Sequence, residues 1–517
     1  MKSLASTEAR IFMVCWIIFS MYFATNVVRE YYPAFSLIES GSFKVDAYSR
    51  YHPDIFEHTD GHWYIGNNVT ASVFVAIPLL IFDPVLDLIE KYDKKRLKTQ
   101  GVPKWGYRTK HKHDEIFLQM VREKGLSLRF GAATAITSVF FMAPLSALMV
   151  VLMYRVLRSR NITKNHAWWL SLVFAFSTPV FFRTGVLNHN MMLMYATFPA
   201  FLLLWERTGV GLPVSWWRRF WAGALCGLGL ALDYSGVVPL IIFFGYLVFP
   251  RLKSASFATA ARESMPFIIG SIPPVLFLLY TQWAMFGNPF LPGQYWMPDV
   301  SATAFDPNFI NPYSTEGFRG FTLPTPDLFL LNLFDPTYGM YIYGPLLMLG
   351  LIPAALFKNQ DLATPKTERI FIFIYFLAFL TFCSANQYSR IQFNSGFRYM
   401  IPLVPLIFLV ISDHLVRIPK KWLLVLLIPV TAHSWVISMV REPPFESWKI
   451  ILTDGLRLPW LHVLKSSSDP NNAVLNSPLL PVAVMAFGFS LVALVIWLGR
   501  RGERLKQQEK NIQKTAT

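Results

Sequence analysis

This sequence is short of charge. Asp, Glu, Lys and Arg make up 15% of its 517 residues, where an average soluble domain carries about 25%. That deficit excludes an ordinary soluble globule. Cysteine is scarce too. Cys15, Cys226 and Cys383 all fall inside apolar runs, which excludes a disulfide-stapled framework. There is no glycine-rich phosphate loop, nucleotide fingerprint or Walker motif, so nothing supports a nucleotide-linked donor. Low-complexity stretches and internal repeats are also absent. The N-terminal MKSLASTEAR leads into an apolar run with no small-residue cleavage site before the acidic stretch that follows. It reads as a retained first helix rather than a signal peptide.

Apolar residues are abundant: 54% of the chain is hydrophobic and 16% aromatic. Several runs reach roughly 20 residues, the length that crosses a bilayer as a helix. Backbone in lipid must satisfy its own hydrogen bonds, which makes helix the expected state. The sequence therefore predicts an all-α polytopic membrane protein. Spans are expected at 11–28, 130–155, 167–186, 189–206, 218–232, 234–250, 266–285, 339–357, 370–386, 398–416, 421–440 and 480–498.

A formal net charge of +16 would suggest a nucleic-acid partner in a soluble chain. Here the excess sits mostly in short loops between spans, where it reads as topology, with a share for anionic lipid headgroups. No nucleic-acid partner is expected. Segment 71–89 decides the arrangement. If it crosses, the basic stretch 91–128, with 11 Lys/Arg against 4 Asp/Glu, is cytoplasmic. The basic groups at 155–160, 216–219, 250–253, 417–421 and 499–504 then all face outside. If it lies in the interface as a proline-broken juxtamembrane helix, those five groups become cytoplasmic. The second arrangement is the expectation: twelve spans, cytoplasmic termini and a first external loop at 29–128. Residues 1–416 form the main module. Residues 417–517 add C-terminal spans, an external loop at 441–478 and a basic tail.

Chemistry concentrates in that first loop. It carries Glu30, Glu39, Asp46, Asp54, Glu57 and Asp60, with His52, His58 and His62 among them. A general base must be a carboxylate or imidazole within hydrogen-bond reach of its proton. Asp54, Asp60, Glu30 and Asp46 are the candidates, the alternative being solvated loop charges. Tyr31, Tyr32, Tyr48, Tyr51, Trp63 and Tyr64 suit sugar faces or a membrane interface equally. The external turn FFRTGVLNHNMM presents Arg183, Asn188, His189 and Asn190 together. Arg183 is suited to a phosphate or to interfacial anchoring. Asp233, in LALDYSGVVP, is a carboxylate where two spans meet: a functional residue or a helix cap. Arg390 and Arg398 flank a Gly-containing turn that opens a span, an arrangement suited to an anion or to anchoring. Arg319 and the lysines at 91–95 are weaker additions. No metal site is expected, since the His cluster HKHD at 111–114 is a weak ligand signal in a basic loop. Asn68-Val-Thr matches a glycosylation acceptor triplet, a pattern of low specificity.

At these residues the chain resembles the GT-C superfamily of integral-membrane glycosyltransferases. The branch it looks most like holds the protein O-mannosyltransferases, aminoarabinose transferases and related bacterial enzymes. The resemblance runs in ordered pieces over about residues 10–415. After the first span come LIESGSFKVD and DIFEHTDGHWYIGNNVTASVFVAIP. STPVFFRTGVLNHNMMLMYATFPAFLLLW, AGALCGLGLALDYSGVVPLI, YTQWAMFGNPFLPGQY and NSGFRYMIPLVPLI follow. The resemblance implies a GT-C-like bundle with juxtamembrane helices in the first external loop. It implies a polyprenyl-phosphate-linked sugar donor, a lipid, glycan or protein acceptor, and an acidic base after the first span, in a bacterial inner membrane with the site facing out. The family's acidic pair directly after that span is missing; Asn26 and Arg29-Glu30 stand nearby. The base is then Glu30, or has moved to Asp54 or Asp60. On this reading Arg183, Arg390 and Arg398 hold the donor phosphate, and His62, Tyr64, Asn188, His189 and Asp233 hold sugar or acceptor. No cofactor is implied beyond an unsupported divalent metal. The alternative function is a flippase for a lipid-linked saccharide.

Overall fold

A computed structural model describes the chain except residues 1–5, 103–111, 161, 206–213, 255–256, 299, 302–308, 311–312, 314, 353–363, 393–395 and 516–517. Helix α1 (Thr7–Met21) opens the fold. It stops seven residues short of the expected span end, because other segments take over its terminal carbonyls. The indole of Trp460 donates to the Met21 carbonyl at 3.1 Å, and the Arg441 guanidinium to that of Tyr22 at 2.8 Å. The chain then runs without regular structure to a turn at Arg29–Glu30.

The acidic stretch is a folded unit rather than a solvated loop. It contains α2 (Tyr31–Ser40), the hairpin β1 (Ile55–Glu57) and β2 (Trp63–Ile65), α3 (Thr70–Ile81), α4 (Asp83–Gln100) and α5 (Lys112–Glu123). The hairpin is antiparallel, with Phe56 opposite Tyr64. Tyr31, Tyr32, Tyr48 and Tyr51 are buried, so they serve the core rather than offering a sugar platform. Tyr32, Tyr48 and Tyr51 all meet Phe130 of the next helix, the nearest ring centroid 5.9 Å away. Arg129 ties α2 to α4 by bonding Glu39 at 2.7 Å and also Glu90. At Phe82 the axes of α3 and α4 diverge by 77°, with Pro78 inside α3 and Pro84 opening α4. Twelve residues of helix rise only about 18 Å, so α3 alone is too short for a hydrocarbon core of about 30 Å.

The remaining helices range from single turns to long rods. Helices α6 (Ser127–Thr137) and α7 (Ala143–Ser159) join through a π-turn into one 33-residue rod. After α8 (Lys164–Phe176) the expected span at 167–186 breaks at Ser177–Pro179, and the short α9 (Val180–Thr184) follows. Next come α10 (His189–Leu204), α11 (Trp216–Leu232), α12 (Val237–Ser254) and α13 (Phe257–Phe286). Gly223 and Gly227 let α11 lie against α13. A Cβ on Gly223 would sit 1.9 Å from the Phe267 carbonyl oxygen, and one on Gly227 2.6 Å from that of Ser271. This is the small-residue spacing that brings apolar helices into backbone contact.

Helix α14 (Gly293–Trp296) and the strand pair β3 (Val300–Ser301) and β4 (Phe309–Ile310) lead to α15 (Pro326–Phe334) and α16 (Met340–Tyr343). The span expected at 339–357 does not form one helix, because Gly344 and Pro345 divide it into α16 and a 3-10 segment, Pro345–Leu351. Then come α17 (Lys366–Ala385), α18 (Val404–Leu415), α19 (Lys420–Val440), α20 (Pro444–Asp454), α21 (Pro459–Ser467) and α22 (Leu479–Thr515). The span expected to begin at 398 becomes α-helical only at Val404. Five helical rods among the described residues are long and apolar enough to cross a membrane. They are Ser127–Ser159, Ala258–Phe286, Lys366–Ala385, Lys420–Val440 and Leu479–Leu505. Several expected spans fall on apolar helices of 10–17 residues. The architecture is that of an all-α membrane protein. Cys15, Cys226 and Cys383 are buried free thiols.

Polar contacts sort the helix ends into two poles. At one pole Arg155 meets Glu8 at 2.5 Å, Arg10 meets Glu503 at 2.5 Å and the Arg160 guanidinium lies 3.6 Å from the Trp205 ring. Arg219 and Glu263, then Arg369 and Asp413, extend this basic pole. The opposite ends of α1, α10, α11, α13 and α17 converge on a cavity.

Candidate functional site

The cavity has a volume of about 750 Å³, within the range of a small-molecule site. Its walls come from segments far apart in sequence: residues 28–30 after α1, 52–54 and 66–68 around the hairpin, 183–189 before α10, 230–237 after α11, the end of α13, and 382–399. Glu30, Asp54, Arg183, Asn188, His189, Asp233 and Arg398, all singled out in the sequence, share this space.

Local structure sets each side chain. Asn188 caps α10, its amide oxygen accepting from Met191 N–H at 2.8 Å, and this makes His189 the first residue of the helix. Asp233 is both a cap and a site residue. Its Oδ1 accepts from Ser235 N–H at 2.8 Å, while Oδ2 lies 2.9 Å from His189 Nε2. His189 Nδ1 lies 2.7 Å from Glu30 Oε1. An imidazole donates from both ring nitrogens only as the imidazolium, so Glu30–His189–Asp233 is a buried carboxylate–imidazolium–carboxylate row. Asn190 adds an amide donor to Asp233 at 3.4 Å.

Beside this row, Arg29 pairs with Asp54 and lies 3.5 Å from Glu30. With its amide oxygen turned inward, Asn67 accepts from Arg29 Nη2 at 2.7 Å. Burial opposes ionisation of Asp54, but the charge of Arg29 and its hydrogen bond to the carboxylate outweigh it and hold the carboxyl at about 2. Glu30 behaves alike: burial is overcome by His189 and Arg29, and its value falls to about 2. Burial lowers His52 below its ordinary value. Its Nδ1 accepts from the Asp54 backbone N–H at 3.1 Å, as the neutral ring requires. The side chain of Asp54 is 25% exposed and that of Glu30 5%, so Asp54 is the more accessible carboxylate.

Across the space stand the guanidiniums. Arg183 is 2% exposed and approaches the Gly396 carbonyl at 3.5 Å. Arg398 donates to the Tyr399 hydroxyl at 3.1 Å. Arg319 also lines the cavity, in a left-handed conformation with φ 52°. Phe290, Phe318, Phe321 and Phe382 form an apolar end.

Other sequence candidates lie elsewhere. Asp46, Asp60, His62 and Tyr64 are not among the lining residues. They bond one another in and beside the hairpin turn: His62 Nδ1 lies 2.9 Å from Oδ2 of Asp46, in a 3-10 turn that precedes the hairpin, and Tyr64 donates to Asp60 Oδ2 at 2.9 Å. Arg390 turns outward to Asp327 at 2.5 Å. Asn68 is buried and faces the cavity, with its amide 3.5 Å from the Leu230 carbonyl, so it does not stand as an exposed glycan acceptor. The side chains of HKHD lie outside the described residues. Among the described residues no group of three His, Cys, Asp or Glu side chains converges as a metal site. Arg29, His52, Asn67 and Tyr399 were missed as site residues. Adjacency was the available signal, since three of them stand within two residues of Glu30, Asp54 or Arg398. No family model, curated protein or solved structure matches the chain.

Proposed function

We propose that this protein is a membrane glycosyltransferase that moves a sugar from a polyprenyl-phosphate-linked donor to a hydroxyl of a lipid, glycan or protein acceptor. The observation that carries the reading is a single cavity that unites the first-loop carboxylates Glu30 and Asp54 with Arg183 and Arg398. Asp54 takes the acceptor proton as the acceptor oxygen forms its bond to the anomeric carbon. The bond from that carbon to the donor phosphate breaks, with inversion. The departing phosphate gains its stabilisation from Arg183 and Arg398, charges fixed in place before the reaction. Glu30, locked by His189 and Asp233, positions Arg29 and through it Asp54. The apolar end at Phe290, Phe318 and Phe382 accepts the start of the prenyl chain. In this reading the basic pole is cytoplasmic, the cavity opens outward and α3–α4 lies in the membrane interface, in a bundle of about twelve spans.

Host membranes containing wild type or Asp54→Asn protein are given a panel of radiolabelled polyprenyl-phosphate sugars. Transfer by wild type and its loss in the variant at equal protein level is the expected result. No transfer from any donor, with lipid-linked sugar accumulating on one leaflet when the protein is removed, replaces this reading with a flippase.

A further inference from the structure

A second cavity lies at the basic pole, remote from the first, between α1, α8 and α22, with a volume of about 440 Å³. Its lining changes character in the same direction on all three helices. On α1 Arg10 gives way to Ile11 and Val14. On α8 Lys164 and Asn165 give way to Trp168, Trp169 and Leu172. On α22, read backwards, Glu503 and Arg500 give way to Ile496. The result is a groove with a charged mouth and an apolar floor.

The mouth holds three cations and one carboxylate. Glu503 is shared between Arg10 Nη2 at 2.5 Å and Lys164 Nζ at 3.4 Å. Arg10 is 9% exposed, and its Nε–H has no hydrogen-bond partner among the described residues. A buried guanidinium N–H left unpaired costs free energy that an incoming acceptor restores. Lys164 and Arg500 are exposed at the rim. Lys164 also begins α8, whose first-turn N–H groups favour an anion. Trp168 and Trp169 follow one turn below Lys164 and Asn165, and indoles favour the headgroup boundary of a membrane.

We propose that this groove binds one anionic glycerophospholipid, with its phosphodiester at Arg10, Lys164 and Arg500 and an acyl chain along Ile11, Val14, Leu172 and Ile496. A free phosphate satisfies only the mouth and leaves the apolar floor unused. A zwitterionic lipid brings an ammonium group to a cationic rim. An anionic phospholipid meets both halves, and it holds the last long helix against the first.

The test uses the full-length protein in detergent, with thermal unfolding and intact-mass measurement of bound lipid. Phosphatidylglycerol, phosphatidylcholine of the same acyl chains and inorganic phosphate are titrated separately. Phosphatidylglycerol alone raises the unfolding temperature and stays bound as one copy. Lys164→Ala/Arg500→Ala weakens its apparent affinity roughly 10- to 30-fold, the worth of two basic side chains at a lipid surface. The single Arg500→Ala, at an exposed position, serves if the double variant does not fold. Equal stabilisation by phosphatidylcholine, an equal effect of phosphate alone, or unchanged affinity in the variants overturns the proposal.

Discussion

Two clusters that draw carboxylates from the first loop use the same chemistry in opposite surroundings. Beside the hairpin, His62 lies 2.9 Å from Asp46, with side chains 39% and 47% exposed. In the cavity, His189 lies 2.7 Å from Glu30, with side chains 4% and 5% exposed. The distances nearly match, so geometry does not separate the pairs; burial does. Water screens the hairpin pair, and exposed ion pairs of this kind contribute about 0–1 kcal/mol. The cavity pair is closed in by α10 and α11 and has Asp233 on its far side, so losing one member strands a charge away from water. A buried array with unequal carboxylate and guanidinium sides is therefore where catalysis is expected, and the hairpin is where charge serves solubility and local turns.

Four experiments break or sharpen this contrast. The largest effect is expected from Asp54→Asn, which lowers the transfer rate roughly 10²- to 10⁴-fold, while Asp46→Asn leaves it unchanged. Equal losses in assays normalised to protein level would remove the distinction. Next, Glu30→Gln takes one charge from the buried row and costs about 3–5 kcal/mol of stability. His62→Gln, on the exposed pair, costs about 0–1 kcal/mol. Thermal unfolding of the purified variants compares them.

Third, Arg398→Ala reduces turnover roughly 10²-fold, whereas Arg390→Ala, which releases Asp327 and Gln387 outside the cavity, does not. Steady-state rates at saturating donor check this. The smallest effect is in pH dependence. Asp54 and Glu30 are held at about 2, below the ordinary carboxylate value of about 4. Depressed carboxylates stabilise the fold above their unfolded value, and that contribution is lost as pH falls from about 4 toward 2. Arg29→Gln removes the charge that lowers Asp54, so the acid limb of the transfer profile moves upward. A limb that stays in place would show that Arg29 does not set Asp54.

Much of the site was legible because membrane sequences leave few places for polar groups. Arg183, His189, Asp233 and Arg398 stood out as ionisable residues beside apolar runs, where they are costly. The hairpin candidates were less separable. Asp46, Asp54 and Asp60 look alike in a polar stretch, and only the turn of the chain between them sends one inward. Arg390 and Arg398 flank the same glycine, yet Asp327 of a distant helix captures the first. The aromatic residues of the loop misled for a related reason: Tyr32, Tyr48 and Tyr51 pack on Phe130 of α6, a partner that local sequence does not reveal.

The sequence by itself determined the all-helical, membrane-soluble character of the chain, because hydrocarbon length and backbone hydrogen bonding are local demands on each run. It also determined which helix ends carry the excess of basic charge. Tertiary structure alone decided where apolar runs break, as at Gly344–Pro345, and which carboxylates lose their water. Glu30 and Asp54 owe their depressed values to partners placed by folding, Glu30 across 159 positions to His189 and Asp54 across 25 to Arg29. Burial and charge pairing depend on distance in space, and that is set only when the helices pack.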